Sequence, residues 1–296
     1  MKKQDILIQC SDGFLLQGTL YFVKLEVKAA ILIAPATGIK RRFYTHFASY
    51  LAEQGFGVLT FDNRGIGDSL HGSVVNSEAD LVQWGKYDMS AALEQLKAYF
   101  SGVPYYLVGH SAGGQLIGLM HNHSDLSAVF NVAASSGSLR NIKGLFWIKA
   151  RFFMSILIPI TNLLMGYTPA GWVGMGESLP RGVAAQWASW CHGSHYVKMG
   201  FGKEIKEHWF DEMRLPMKWL FAIDDEIAIL PNVEEMISVF PNAKSEKLRI
   251  VPQDHGLKKV GHMKFFSRAS QKLWSSVISF FEENSIKELE NISGSS

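Results

Sequence analysis

The chain reads as an α/β protein. It should have a mostly parallel, doubly wound central sheet, an N-terminal antiparallel hairpin, and an inserted, largely helical lid. Three observations lead there. Apolar runs of strand length alternate with stretches of helical periodicity in both halves of the sequence, the rhythm that strand–helix–strand crossovers produce. One such run, Tyr105-Tyr106-Leu107-Val108, leads straight into Gly109-His110-Ser111-Ala112-Gly113, a Gly-x-Ser-x-Gly step with a helix-compatible stretch behind it. Residues 138–210, rich in Trp, Phe, Met and Gly, break the rhythm before it resumes.

Each element follows in order. Ile6 and Ile8 alternate with polar neighbours, Ser11-Asp12-Gly13 supplies turn residues, and Phe14 to Phe22 alternates again. That pattern is a hairpin. Ala29 to Ala34 is an almost continuous apolar run, as in a strand covered on both faces. Phe43 to Glu53 has helical spacing, with Gly55 where such a helix would end. Gly57-Val58-Leu59-Thr60-Phe61-Asp62 is the next strand, and 79–100 is a long amphipathic helix. The serine step follows, with a helix over Gln115 to Met120, and Ala128 to Val132 is a buried strand. Beyond the lid, Lys218 to Ile223 and Leu248 to Val251 are strands, and Met263 to Glu283 closes the chain as a helix. Ser293-Gly294-Ser295-Ser296 is a low-complexity tail. The expected division is a core of residues 1–137 and 211–296 with a lid of residues 138–210.

At 296 residues, 47% hydrophobic and 19% charged, the chain can bury a large core, which excludes disorder. A net charge of +2, without a Lys/Arg stripe interleaved with aromatics, argues against nucleic acid as a partner. Met1-Lys2-Lys3 is followed too soon by Gln9, Ser11 and Asp12 to open a signal peptide. The most apolar stretch, Phe152 to Met165, is about 14 residues and contains Pro159. That is short of a bilayer span, so a buried or interfacial helix is expected and no integral membrane segment. Two cysteines, Cys10 and Cys191, fit free thiols. A soluble, cytoplasmic protein is the expectation.

A serine is a poor nucleophile unless a base touches it and a carboxylate orients the base. The glycines around Ser111 suit a turn in which strand and helix approach so closely that side chains would collide. Ile223-Asp224-Asp225-Glu226 offers three acids just past one strand, and His255 and His262 follow the next. In doubly wound sheets such groups gather at the carboxyl ends of the strands. The residues alone leave Asp224, Asp225 and Glu226 open as the acid, and His255 and His262 as the base.

These pieces resemble the α/β-hydrolase fold over almost the whole chain, lid excepted. The resemblance rests on Ala34-Pro35-Ala36-Thr37-Gly38, on Phe61-Asp62-Asn63-Arg64-Gly65-Ile66-Gly67-Asp68-Ser69, on the Ser111 elbow, on the Asp225 turn and on Gly261-His262. The Asp-x-Arg-Gly-x-Gly-x-Ser piece is characteristic of the serine-hydrolase branch. Within that branch, Gly166-Tyr167-Thr168-Pro169, Leu179-Pro180-Arg181-Gly182 and Gln186-Trp187-Ala188-Ser189-Trp190-Cys191 are similar to a group of poorly characterised bacterial hydrolases. That finer likeness brings no substrate with it.

The resemblance implies Ser111 as nucleophile. It favours Asp225 as acid, because Ala222-x-x-Asp225-x-Ile227 matches the family turn, and His262 as base, because Gly261-His262-Met263 opens the last helix. Oxyanion donors are expected at the Ala112 amide and in the Ala34-Pro35-Ala36-Thr37 loop. Pro35 has no N–H, which leaves Ala36 or Thr37, with Thr37 preferred. His110 is read as a packing or supporting residue, and Asp62 and Arg64 as structural. His121-x-His123 and Cys191-His192-x-x-His195 lack a complementary pair at zinc spacing, so no metal is expected. Phe146, Trp147, Phe152, Phe153, Trp172, Trp187 and Trp190 make so aromatic an insertion that an apolar pocket is expected. Trp172, Trp187 and Trp190 are taken as substrate contacts. The implied activity is that of a carboxylesterase-like serine hydrolase acting, without a cofactor, on an ester or similarly activated acyl substrate with an apolar portion. The alternatives are an acyltransferase using the same acyl-enzyme and a non-catalytic ligand-binding protein on this scaffold.

Overall fold

The alternating N-terminus forms β1 (Lys2–Gln9) and β2 (Leu15–Phe22), paired antiparallel with Ile8 opposite Leu16. A computed structural model describes residues 1–293, so of the C-terminal tail Gly294-Ser295-Ser296 lies outside the described residues. The apolar run from Ala29 becomes β3 (Ala29–Ala34), buried at every position, and is followed by α1 (Thr45–Glu53) and by β4 (Phe56–Phe61). The long helix begins at α2 (Leu81–Gln83), two residues later than its periodicity suggests. There the Asp80 side chain caps the Gln83 amide and the Gln83 side chain caps the Asp80 amide. A π turn (Trp84–Met89) joins α2 to α3 (Ser90–Tyr99). Then come β5 (Tyr105–His110), the short α4 (Ala112–Gln115) and β6 (Leu126–Val132). The helix expected over Gln115 to Met120 is instead α4 plus a 3-10 turn at Ile117–Leu119.

Between β6 and the next main strand lie α5 (Gly144–Phe152) and α6 (Ile158–Leu164), then β7 (Tyr167–Thr168), β8 (Leu179–Pro180) and α7 (Arg181–His192). A π turn (Phe153–Leu157) fuses α5 and α6 into one helix, Gly144–Leu164, of 21 residues. Pro159 directly follows this π turn, where the regular i→i−4 ladder is already interrupted, so its missing N–H does not end the helix. By length and composition this helix could cross a membrane. Within the fold, however, its Phe153, Met154 and Ile158 are packed into the protein core.

The chain returns to the sheet with β9 (Pro216–Ala222), α8 (Leu230–Ile237) and β10 (Lys244–Ile250), and ends in α9 (Ser275–Ser293). The main sheet runs β1-β2-β4-β3-β5-β6-β9-β10. Within this sheet the β1–β2 and β2–β4 pairs are antiparallel and the remaining pairs are parallel. Helices α3, α1 and α9 pack on β3, β4 and β6. The outer strands β1 and β10 carry Lys2, Lys3 and Asp5 at one edge and Lys244, Lys247 and Arg249 at the other.

The last helix does not open at His262. Residues 264–273 form two 3-10 runs, and α9 starts at Ser275. Phe265, Phe266 and Trp274 are all buried against Phe47, so their spacing serves this packing and not a helix face. The Asp62–Ser69 loop is held by buried charges. Asp62 accepts the Arg41 amide (2.6 Å) and pairs with its guanidinium, while Arg64 bridges Asp88 (2.6 Å) and Asp12 (2.5 Å).

Candidate active site

Strand β5 delivers Ser111 at its carboxyl end with φ +48° and ψ −111°. A non-glycine residue in such a conformation costs about 1–3 kcal/mol, so the surroundings must impose it. They do so by hydrogen bonds from the Ser111 amide to the Val132 carbonyl (3.0 Å) and from the Gly114 amide to the Ser111 carbonyl (2.9 Å). They also do so by close packing. A Cβ on Gly113 would lie 2.1 Å from the Ala34 carbonyl oxygen, and one on Gly109 would lie 2.6 Å from the Gly114 Cα. Only hydrogen fits at those two positions, so helix α4 can back onto β5 and β3 and lift the serine hydroxyl clear of the sheet.

Two loops converge on that hydroxyl. The turn after β9 presents Asp225, and the segment after β10 presents His262. Ser111 Oγ lies 3.0 Å from His262 Nε2, and His262 Nδ1 lies 2.8 Å from Asp225 Oδ2. Asp225 is 3% exposed, and its other oxygen accepts the amides of Ile227 (2.8 Å) and Ala228 (3.0 Å). Burial pushes this carboxyl up, but the His262 imidazole and the two amides outweigh it and hold it below the usual carboxylate range. An ionised Asp225 accepts a hydrogen bond from Nδ1–H, which turns Nε2 toward the Ser111 hydroxyl.

Asp224 points elsewhere. Its oxygens accept the amides of Val260 (3.0 Å) and Gly261 (2.9 Å), so it buckles the histidine loop to the acid turn. Glu226 is exposed, and His255 lies in the 3-10 turn Pro252–His255, contacting neither Ser111 nor Asp225 among the described residues.

His110 is fully buried behind the serine. Its Nε2 is 2.9 Å from the His262 carbonyl oxygen and its Nδ1 is 2.8 Å from Tyr44 Oη. A carbonyl can only accept, so Nε2 carries the proton and Nδ1 accepts from the tyrosine hydroxyl. Burial, with a smaller repulsion from His262, pushes its pKa down to about 3, so the ring is neutral. The same Tyr44 oxygen accepts the Ala36 amide at 2.9 Å. That contact sets the two loop amides apart. The Ala36 N–H is already spent, whereas the amides of Thr37 and Ala112 have no acceptor among the described residues. Nothing in the sequence pointed to Tyr44, which stands 66 positions from His110.

A cavity of about 440 Å³ opens over Ser111, with Thr37, Gln115 and His262 at its polar end. Leu139, Ile142, Phe146, Phe153, Met154 and Trp187 form much of its apolar wall. Of the three tryptophans expected to line a pocket, the structure places only Trp187 there. Trp190 is fully buried away from the cavity, its indole N–H donating to Glu204 (2.8 Å) and its ring meeting Tyr196 edge-on. Trp172 is 69% exposed and does not line the cavity. His192, from the Cys191-His192-x-x-His195 run, is engaged by the Ala188 carbonyl (2.6 Å) and the Ser155 hydroxyl (2.7 Å).

The sheet order, the serine elbow and the Ser–Asp–His order along the chain define an α/β-hydrolase fold serine hydrolase. The profile of the serine aminopeptidase S33 family matches residues 25–186, more than half of the sequence, and the chain belongs to that family. No curated protein matches the sequence. Among solved structures it is similar to DcsB in complex with its substrate analogue, at 16% identity and TM-score 0.65 over 96% of this chain and 100% of that one. It is similar to a thermostable carboxyl esterase of Bacillus coagulans in complex with glycerol, at 14% identity and TM-score 0.63 over 96% and 99%. It is also similar to a soluble variant of the Saccharomyces cerevisiae monoglyceride lipase bound to a substrate analogue, at 14% identity and TM-score 0.65 over 94% of each chain.

Proposed function

We propose that the protein hydrolyses esters with an apolar acyl portion through an acyl-enzyme on Ser111. The observation that carries this reading is the Ser111–His262–Asp225 chain of contacts, 3.0 and 2.8 Å, facing the floor of an apolar cavity. As His262 Nε2 takes the hydroxyl proton, Ser111 Oγ attacks the acyl carbon and the carbonyl oxygen becomes an oxyanion between the amides of Ala112 and Thr37. Asp225 stabilises the imidazolium. His262 then gives its proton to the departing alkoxide, and the acyl group remains on the serine. A water molecule, deprotonated by His262, attacks the acyl carbon, and collapse releases the acid and restores the hydroxyl.

Segment 138–210 acts as a lid in this reading, since Phe146, Phe153, Met154 and Trp187 wall the cavity from that side. Such a wall suits an alkyl or aryl acyl group. The carboxyl esterase and monoglyceride lipase named above fit this reading in their activities. The test is labelling by a fluorophosphonate, read by intact mass, beside hydrolysis of nitrophenyl esters of increasing chain length. One adduct in the wild type, none in Ser111→Ala, and parallel loss of hydrolysis are expected. An unlabelled, folded wild type would remove the proposal.

A further inference from the structure

The helix Gly144–Leu164 has one side packed on the protein and one side bare. Leu145, Ile148, Phe152, Ile156, Ile160 and Leu163 recur at intervals of three and four, which places them on one face, and they are 46–78% exposed. Leu164 (77%), on the same helix, and Trp172 (69%), in the following 3-10 turn, are exposed as well. Among the described residues, half of the large apolar side chains that the fold leaves exposed lie between residues 145 and 173. A contiguous stripe of this kind marks an interaction surface.

Charge identifies what covers it. Between Asp125 and Glu177 there is no acidic residue, yet Arg140, Lys143, Lys149 and Arg151 fall in that interval, all exposed. The Arg151 guanidinium lies on the Trp147 ring, 5.2 Å from its centroid. An apolar stripe flanked by these cations complements an anionic lipid surface, where the stripe enters the acyl region and the cations meet headgroups. A second copy of the same face would set cations against cations. The patch also runs into the cavity. Phe152, Lys149 and Val173 belong to both the exposed face and the cavity wall.

We propose that this face docks the protein on anionic bilayers, with the helix lying in the plane of the interface, and that the cavity takes its apolar substrate directly from the lipid. The second clause rests on the reading of Ser111 as an acyl-transferring nucleophile. The first does not. Because Phe153, Met154 and Ile158 are committed to the core, the helix lies on the membrane and does not cross it.

The test is flotation of the full-length Ser111→Ala protein with phosphatidylcholine vesicles, with and without phosphatidylglycerol. Binding to the anionic vesicles should be roughly tenfold tighter or more, at about 1 kcal/mol per cation near the surface, and should weaken with salt. Leu163→Asp/Leu164→Asp replaces two side chains that are 78% and 77% exposed. It should abolish flotation while the melting temperature and, in the Ser111 background, hydrolysis of a water-soluble ester stay unchanged. Arg140→Glu/Lys143→Glu should erase the preference for phosphatidylglycerol. Failure of Ser111→Ala to float, or equal flotation of the leucine variant, overturns docking. So does a lipid-free dimer that the leucine variant dissolves, which would make the face an interface between copies. Flotation without ester hydrolysis by the wild type would keep docking and sink the hydrolase reading, whereas hydrolysis without flotation would do the reverse.

Discussion

Asp224 and Asp225 are adjacent in sequence and face different partners, so single substitutions should separate them. Asp225→Asn leaves His262 without its orienting carboxylate and should lower kcat by about 10³–10⁴-fold with little change in stability. Asp224→Ala releases the amides of Val260 and Gly261. It should cost about 1–3 kcal/mol in chemical denaturation and lower activity by loosening the histidine loop. His110 supplies a pH effect with a definite sign. Its folded pKa of about 3 lies below the ordinary value near 6.5, so between those limits the unfolded chain binds a proton that the folded one refuses. Stability is therefore fully present above the ordinary histidine pKa and falls as pH drops toward 3. At about pH 4.5 the loss is on the order of 2–3 kcal/mol. Denaturation at neutral pH and at pH 4.5 checks this. The difference should shrink in His110→Gln, and an unchanged difference would refute the assignment.

At the scale of elements, α4 depends on the absence of a side chain at Gly113. Gly113→Ala should force α4 from β3, cost about 2–3 kcal/mol or more, and displace Ser111 enough to abolish fluorophosphonate labelling. Calorimetry and intact mass read the two effects. The elbow was legible in the sequence because its steric demand leaves a mark, glycines on both sides of a serine at the end of an apolar strand. The strands were legible for the same kind of reason: burial on both faces of β3, β4 and β6 admits little but apolar residues. The helix 144–164 was not, because Pro159 looks like a stop until a π turn is known to precede it. Nor was the start of α9, since Phe265, Phe266 and Trp274 have spacings that suit a helix and a packed 3-10 run equally. Trp187 and Trp190 sit three apart on α7, and composition cannot say which of them turns to the cavity. That depends on Glu204 and Tyr196, which draw Trp190 inward.

Over the whole molecule, buried charges fasten the N-terminal hairpin to the rest of the sheet. Arg64 joins Asp12, in the β1–β2 turn, to Asp88, in the helix of residues 81–99. Arg64→Met strands Asp88 in a buried site and should cost about 3–5 kcal/mol, measured by urea unfolding. Arg64→Met/Asp88→Leu should recover much of that, because no unpaired buried charge remains. The two outer strands have a different consequence. A sheet with bare margins invites other chains to add on as further strands, and a row of charges along the margin forbids it. With Lys2, Lys3 and Asp5 on β1 and Lys244, Lys247 and Arg249 on β10, the sheet is closed to fibril-like growth from either side. Crowding should therefore not drive this protein into β-aggregates.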